Sequence, residues 1–358
     1  MNQHQRPIRC AVMRGGTSKG LYFLAEDLPA ESGARDRLLL ALMGSPDPRQ
    51  IDGLGGADPL TSKVAVVNAS ARTEADVDYL FLQVFPDRPV VTDQQNCGNI
   101  LAGVGPFAIE RGLVRAGAGK TVVRVYLVNS DSIAELEVDT PDGAVRYAGE
   151  ARIDGVPGSH APVIQRFIGT AGSQCGALLP SGNAVDTIDG VACTLIDNGM
   201  PVVVLPAEAF GVTGDEDKAA LEGDEVLRQR LEAIRLQAGQ LMNLGDVAQA
   251  SVPKMSLVLP PSVGGLIATR TFIPHRLHSS IGVLGAVSVA NACLIDGTPA
   301  AALAAVPDGN PKLCDVEHPT GALTVELSLD GQGQVEKAGI LRTARMLMDG
   351  AAMAPEGL

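Results

Sequence analysis

The sequence predicts an α+β fold of two domains, and three observations carry that prediction. Strand-like runs outnumber helical ones. They do not alternate with helices as a βα barrel requires. Three landmarks also recur in the same order in the two halves. A chain of 358 residues has room for two domains, expected at 1–185 and 186–358.

Strands are expected at Ile8–Met13, Leu21–Leu24, Lys63–Asn68, Asp78–Val84, Thr121–Leu127 and Ala134–Val138, then at Val202–Leu205, Ser256–Leu259 and Gly265–Phe272. Each is rich in β-branched residues and bounded by turn formers. Helices are expected at Ser32–Met43, Ile100–Arg111, Asp215–Leu244, Ile281–Leu294 and Ile340–Met348, the last packing back on the first domain. Ile100–Ile109 and Ile281–Leu294 are apolar on nearly every face and must be covered on all sides, which calls for a sheet curled around each. The landmarks pair Met13-Arg14-Gly15-Gly16 with Asp197-Asn198-Gly199-Met200-Pro201, and Ser62-Lys63-Val64 with Pro253-Lys254-Met255. Gly98-Asn99, leading into one apolar helix, pairs with Ser279-Ser280 before the other. The two helix starts could then face each other across a cleft.

Composition narrows the function. At 46% hydrophobic and 19% charged the chain can bury a large core. A formal charge of −13 with no Lys/Arg run, together with 3% aromatic residues and no Trp, argues against nucleic acid and anionic membrane surfaces. The six Cys form no C-x-x-C and lack paired His spacing, so reduced thiols are expected rather than a zinc site or a disulfide framework. The N-terminus lacks a signal-peptide core, and Ile281–Ile295 is too short to span and contains Ser288 and Asn291. The expected location is the cytoplasm.

Four segments could carry chemistry. Met13-Arg14-Gly15-Gly16-Thr17-Ser18-Lys19-Gly20 offers backbone N–H groups, two hydroxyls and two cations to a carboxylate or phosphate, or is a tight hairpin with solvated Arg14 and Lys19. It is not a nucleotide P-loop, because Leu21 stands where Lys would be needed. Gln95-Asn96-Cys97-Gly98-Asn99 puts a thiol at a helix N-terminus, where the dipole favours thiolate; the plainer alternative is a small buried Cys beside a cap. Cys175 has similar neighbours but no following helix, and is expected to be structural.

Lys63, after Ser62 at the mouth of an apolar strand, is either a solvated gatekeeper or a general base facing Cys97 in a cleft. Phe272–Ser280 brings His275, Arg276, His278, Ser279 and Ser280 to the second helix start, as an anion site rather than a metal site. The loop Asp52–Asp58 is glycine-rich and otherwise uninformative.

Met13–Gly20, Gly55–Lys63, Asn96–Gly105 and Pro274–Ala286 closely resemble the family of 2-methylaconitate cis-trans isomerases and 4-oxalomesaconate tautomerases/isomerases. The likeness continues through Asp197–Met200, Met242–Val247, Glu317–Gly321 and Arg342–Gly350, nearly the whole chain. Gly44–Asp52, Asp78–Gln83 and Met242–Val247 look most like the oxalomesaconate branch of aromatic-acid catabolism.

The resemblance implies a diaminopimelate-epimerase-like fold, in which two pseudo-symmetric domains each wrap a barrel-like sheet around a central helix, with the active site in the interdomain cleft. It also implies proton transfer without a cofactor or metal, with Lys63 and Cys97 as the acid/base residues. Arg14, Thr17, Ser18, Ser62, Asn96, Gly98, Asn99, His275, Arg276 and Ser279 would hold the carboxylates of a tricarboxylate substrate. Racemases of this fold use one Cys from each half; Ser279-Ser280 stands here instead, against a two-thiol mechanism. The alternatives are a methylaconitate isomerase and a non-catalytic polycarboxylate-binding protein. A homodimer is the base-rate expectation.

Overall fold

The computed structural model describes residues 5–94, 96–273, 275–355 and 357. Gln95 and Pro274, which belong to two of the candidate segments, and residues 1–4 lie outside the described residues. Packing divides the chain into two compact units, Met1–Ile168 with Arg342–Leu358, and Gly169–Leu341. The partition at 185 read from the sequence falls inside the second unit, just before a short strand that starts at Asp186.

The first unit contains β1 (Gln5–Gly15), β2 (Ser18–Leu24), α1 (Ser32–Met43), β3 (Lys63–Ala69), β4 (Val77–Val84) and β5 (Val91–Thr92). It continues with α2 (Gly98–Glu110), β6 (Gly119–Leu127), β7 (Ser132–Thr140) and β8 (Pro162–Phe167). Strands β1–β2, β3–β4, β6–β7 and β7–β8 pair antiparallel, whereas β2–β3 and β4–β6 pair parallel.

Helix α2 packs against β1, β2, β3, β4, β6, β7 and β8, so the sheet curls around it. Its residues Ile100–Ala108 are buried, and each large apolar side chain there stabilises by about 1.5–3 kcal/mol relative to exposure. Alternation along β3 shows how the layers form. Ala65 and Val67 join the cluster around α2, while Val64 and Val66 join Leu38, Leu39, Leu42 and Met43 of α1. The sheet is therefore covered on both faces.

The second unit contains β9 (Asp186–Ile188), β10 (Val191–Asp197), β11 (Pro201–Pro206), α3 (Lys218–Gly223), α4 (Glu225–Leu241), β12 (Lys254–Leu259) and β13 (Ile267–Phe272). It ends with α5 (Val283–Ala292), β14 (Lys312–His318) and β15 (Gly321–Leu329). The order of pairings repeats that of the first unit: β10–β11 antiparallel, β11–β12 parallel, β12–β13 antiparallel, β13–β14 parallel and β14–β15 antiparallel. α5 occupies the place of α2 and packs on β10, β11, β14 and β15. α4 covers the other face through Leu227, Leu231, Ile234 and Ala238. The duplication suggested by the three landmarks is thus present as topology.

Two helix expectations are corrected. Ile340–Met348 is not a helix but part of β16 (Val335–Pro355), whose first part pairs with β15 and whose last part pairs with β1. Helix propensity for Ala, Leu, Met and Arg amounts to tenths of a kcal/mol per residue, less than a full ladder that also buries Ala344, Ala352 and Ala354. Asp215–Leu244 is two helices, because Asp217 caps Ala220 N–H and Asp224 then caps Leu227 N–H, starting a second helix. Strands β5, β8, β9, β10, β14 and β15 have no counterpart in the sequence expectation. No described helix is long and apolar enough to cross a membrane.

Candidate active site of the first unit

The hairpin joining β1 to β2 lies on the first turn of α2, and its two glycines make that approach sterically feasible. A Cβ on Gly15 would stand 2.3 Å from the Asn99 carbonyl oxygen, and one on Gly16 would stand 2.2 Å from Asn99 Oδ1. Gly16 also needs its φ of 51°. Tyr22 donates to the Ile100 carbonyl at 2.6 Å, and Asn99 Nδ2 donates to Thr17 Oγ1 at 3.0 Å, tying β2 and the turn to α2.

Lys63 opens β3 on the face that α2 covers, in phase with Ala65 and Val67. It is 7% exposed, donates to Gln83 Oε1 at 2.8 Å and lies 5.1 Å from the centroid of the Phe81 ring. Gln83 is itself held, since its Nε2 donates to the carbonyls of Pro59, Ser62 and Val84. The sequence reading missed Gln83; its signal was one polar residue in phase with Tyr79 and Phe81 on an otherwise apolar face.

Cys97 is the N-cap of α2. Its carbonyl accepts from Leu101 N–H and from Tyr79 Oη at 3.4 Å. Tyr79 and Phe81 alternate onto one face of β4, so the lysine and the thiol share the same wall of aromatic side chains. All six cysteines are free, and Cys97 alone is not buried. Burial pushes the thiols of Cys10 and Cys293 up, that of Cys314 to about 11 and those of Cys175 and Cys193 to about 12, the last two also beside Asp197 and Asp186. These five thiols, Cys175 among them, are buried.

The remaining predicted residues divide into three groups. Arg14 uses Nη1 on the carbonyls of Gly16 and Thr343 and on Thr343 Oγ1, while its Nη2 and the buried Ser18 Oγ have no partner among the described residues. Burial and the nearby Arg345 charge lower the Arg14 pKa. Ser62 Oγ donates to Gln50 Oε1, Asn96 Nδ2 donates to Ser130 Oγ, and the Gly98 carbonyl accepts from Gln165 Nε2, so these three are already engaged within the unit. In the second unit, His275 Nδ1 lies 3.8 Å from Glu232 and Arg276 Nε 3.3 Å from Glu222, both side chains well exposed. Ser279 Oγ accepts from Lys218 Nζ at 3.3 Å. The structure therefore gathers Lys63 and Cys97 on one face and gives His275 and Arg276 to carboxylates of α4 and α3. Among the described residues no cluster of three His, Cys, Asp or Glu could hold a metal ion.

Comparisons with known proteins show what the whole chain is similar to. The model of the PrpF protein family matches residues 5–355. A (4E)-oxalomesaconate Delta-isomerase of Novosphingobium sp. is 63% identical over 341 residues, covering 95% of this chain and 96% of that protein. A 4-oxalomesaconate tautomerase of Pseudomonas putida is 59% identical, covering 97% of this chain and 96% of that protein. The crystal structure of a methylitaconate-delta-isomerase superposes with a TM-score of 0.89 at 34% identity, covering 98% of this chain and 96% of that one.

Proposed function

The chain belongs to the PrpF protein family, and on that premise we propose that it is an isomerase that moves a proton on 4-oxalomesaconate. The two relatives at 63% and 59% identity are named for that substrate. The observation that carries the reading is Lys63, buried and locked by Gln83 on the face of the sheet whose central helix begins at Cys97. The reaction belongs to the breakdown of aromatic acids that passes through this tricarboxylate.

A C–H flanked by carbonyl, alkene and carboxylate groups is acidic, because the resulting dienolate delocalises its charge. Lys63 takes or returns that proton at one carbon, and Cys97 serves as the second donor/acceptor or stabilises the dienolate. Arg14, Thr17, Ser18 and Asn99, at the hairpin on the helix start, hold carboxylates. Allylic isomerisation and keto–enol tautomerisation share the deprotonation and differ in where the proton returns.

The test is ¹H NMR of the purified protein with 4-oxalomesaconate in D₂O. Deuterium incorporation with a shifted C=C establishes the allylic isomerase. An enol–keto change with the C=C in place establishes the tautomerase, and exchange no faster than the buffer control removes oxalomesaconate as the substrate.

A further inference from the structure

The glycine-rich segment after α1 folds around a buried side-chain amide. Gln50 is 1% exposed and holds a φ of 46°, a left-handed backbone that strains a residue with a Cβ and persists where surrounding contacts over-determine it. Its Oε1 accepts from Ala57 N–H at 2.9 Å and from Ser62 Oγ at 2.7 Å, and its Nε2 donates to Ser45 Oγ at 3.1 Å. The chain closes directly over this amide, since a Cβ on Gly55 would stand 2.2 Å from Gln50 Cδ and Oε1.

Ser62 is the residue at which this loop passes into β3, and it is fully buried. It is gripped from two sides. Gln50 takes its hydroxyl, while its carbonyl accepts from Val84 N–H at 3.1 Å and from Gln83 Nε2 at 3.0 Å. The next residue is Lys63, whose Nζ donates to Oε1 of the same Gln83. A lysine side chain turns about several bonds, so the place of its nitrogen depends on where its backbone is anchored as well as on the acceptor at its tip. Gln83 fixes the tip; Ser62 anchors the base.

We propose that Gln50 is a positioning residue for proton transfer. By holding the Ser62 hydroxyl it fixes the backbone from which the Lys63 side chain departs, and Ser62 serves as its hook rather than as a ligand of a substrate carboxylate. This role rests on Lys63 being the group that moves the proton.

The test compares kcat and KM for 4-oxalomesaconate, and the melting temperature, in whole-protein variants assayed well below their melting points. Gln50→Leu lowers kcat by about 10²-fold and leaves KM within about threefold of wild type, the pattern of a misplaced reacting group. Gln50→Glu recovers kcat to within about fivefold, because a carboxylate accepts the same two hydrogen bonds and the Ser45 hydroxyl can turn to donate. Ser62→Ala cuts the same link with a smaller side chain, lowers kcat rather than raising KM, and decides the matter if Gln50→Leu does not fold. In a Lys63→Met background neither Gln50→Leu nor Ser62→Ala lowers the residual rate further, since nothing is left to position. Losses in KM instead of kcat, a Gln50→Glu variant as impaired as Gln50→Leu, a lowered melting temperature with kcat unchanged, or a further loss on top of Lys63→Met each overturn the proposal. Lys63→Met with wild-type kcat refutes the reading of Lys63 and removes the positioning role with it, whereas an inactive Lys63→Met beside a fully active Ser62→Ala and Gln50→Leu refutes the positioning role alone.

Discussion

The two units share one sequence of strand pairings, yet they treat equivalent polar positions in opposite ways. At the turn between β10 and β11, Asp197 is fully buried and satisfied, accepting from the N–H groups of Gln174, Cys175 and Gly199. At the matching turn between β1 and β2, Arg14 Nη2 and Ser18 Oγ are buried and, among the described residues, unpartnered. Lys254, which opens β12 as Lys63 opens β3, donates to the nearby Ser251 carbonyl at 2.5 Å. Lys63 instead reaches a side-chain amide from the neighbouring strand. The N-cap is Cys97 in α2 and Gly282 in α5. A polar group with all its partners in place holds a fold together; one left without them, on a well-packed scaffold, is available to a ligand.

That contrast is broken or sharpened by five measurements. The largest effect belongs to Lys63→Met, expected to lower kcat by about 10³-fold, roughly 4 kcal/mol, at an unchanged melting temperature. Lys254→Met should stay within about threefold of wild type, and equal losses at the two positions would end the assignment of proton transfer to the first unit. Next comes Asp197→Ala, which strands three buried N–H donors and should cost about 3 kcal/mol in denaturant unfolding. Ser18→Ala deletes an unpaired buried hydroxyl and should leave unliganded stability equal or higher.

Gly16→Ala forces a Cβ onto Asn99 at φ 51° and should cost about 2 kcal/mol, visible as a lowered melting temperature. Smallest is a pH effect in the second unit. Burial by itself would raise the Glu317 carboxyl, but N–H donors from Ser262, Val263 and Gly265 outweigh it and hold the pKa below the usual 4.5. A depressed carboxylate stabilises above the unfolded pKa and loses that contribution as pH falls through the folded value. Stability measured by denaturant titration should therefore decline below about pH 5 by of order 1 kcal/mol, with a shallower decline in Glu317→Gln.

Much of the fold was legible because local pattern and burial agree. The apolar run of α2 is buried from Ile100 to Ala108 and the sheet does wrap it. The alternation of β3, β4, β6 and β7 was visible for the same reason. Where the pattern was ambiguous the reading failed, as at Ile340–Met348, whose residues suit a helix until β1 and β15 offer ladders.

For the candidate site, Lys63, Cys97 and the Arg14–Gly20 hairpin stood out as polar groups at the ends of apolar elements. Gln83 and Gln50 did not. Each lies well along the chain from the group it meets, and no local rule connects Lys63 with Gln83 or Ser62 with Gln50.

The sequence by itself determined which segments are strands and helices through most of the chain, the duplication, and the residue types able to move a proton and bind carboxylates, because periodicity, glycine placement and capping act over a few residues. Only the tertiary structure decided that the last segment is a strand, that Gln83 orients Lys63, that five thiols are buried while Cys97 is not, and that Gln50 and Gln83 hold Ser62 from two sides. Those outcomes depend on strand register and on long-range burial, and register is set by the packing of whole faces rather than by neighbours in sequence.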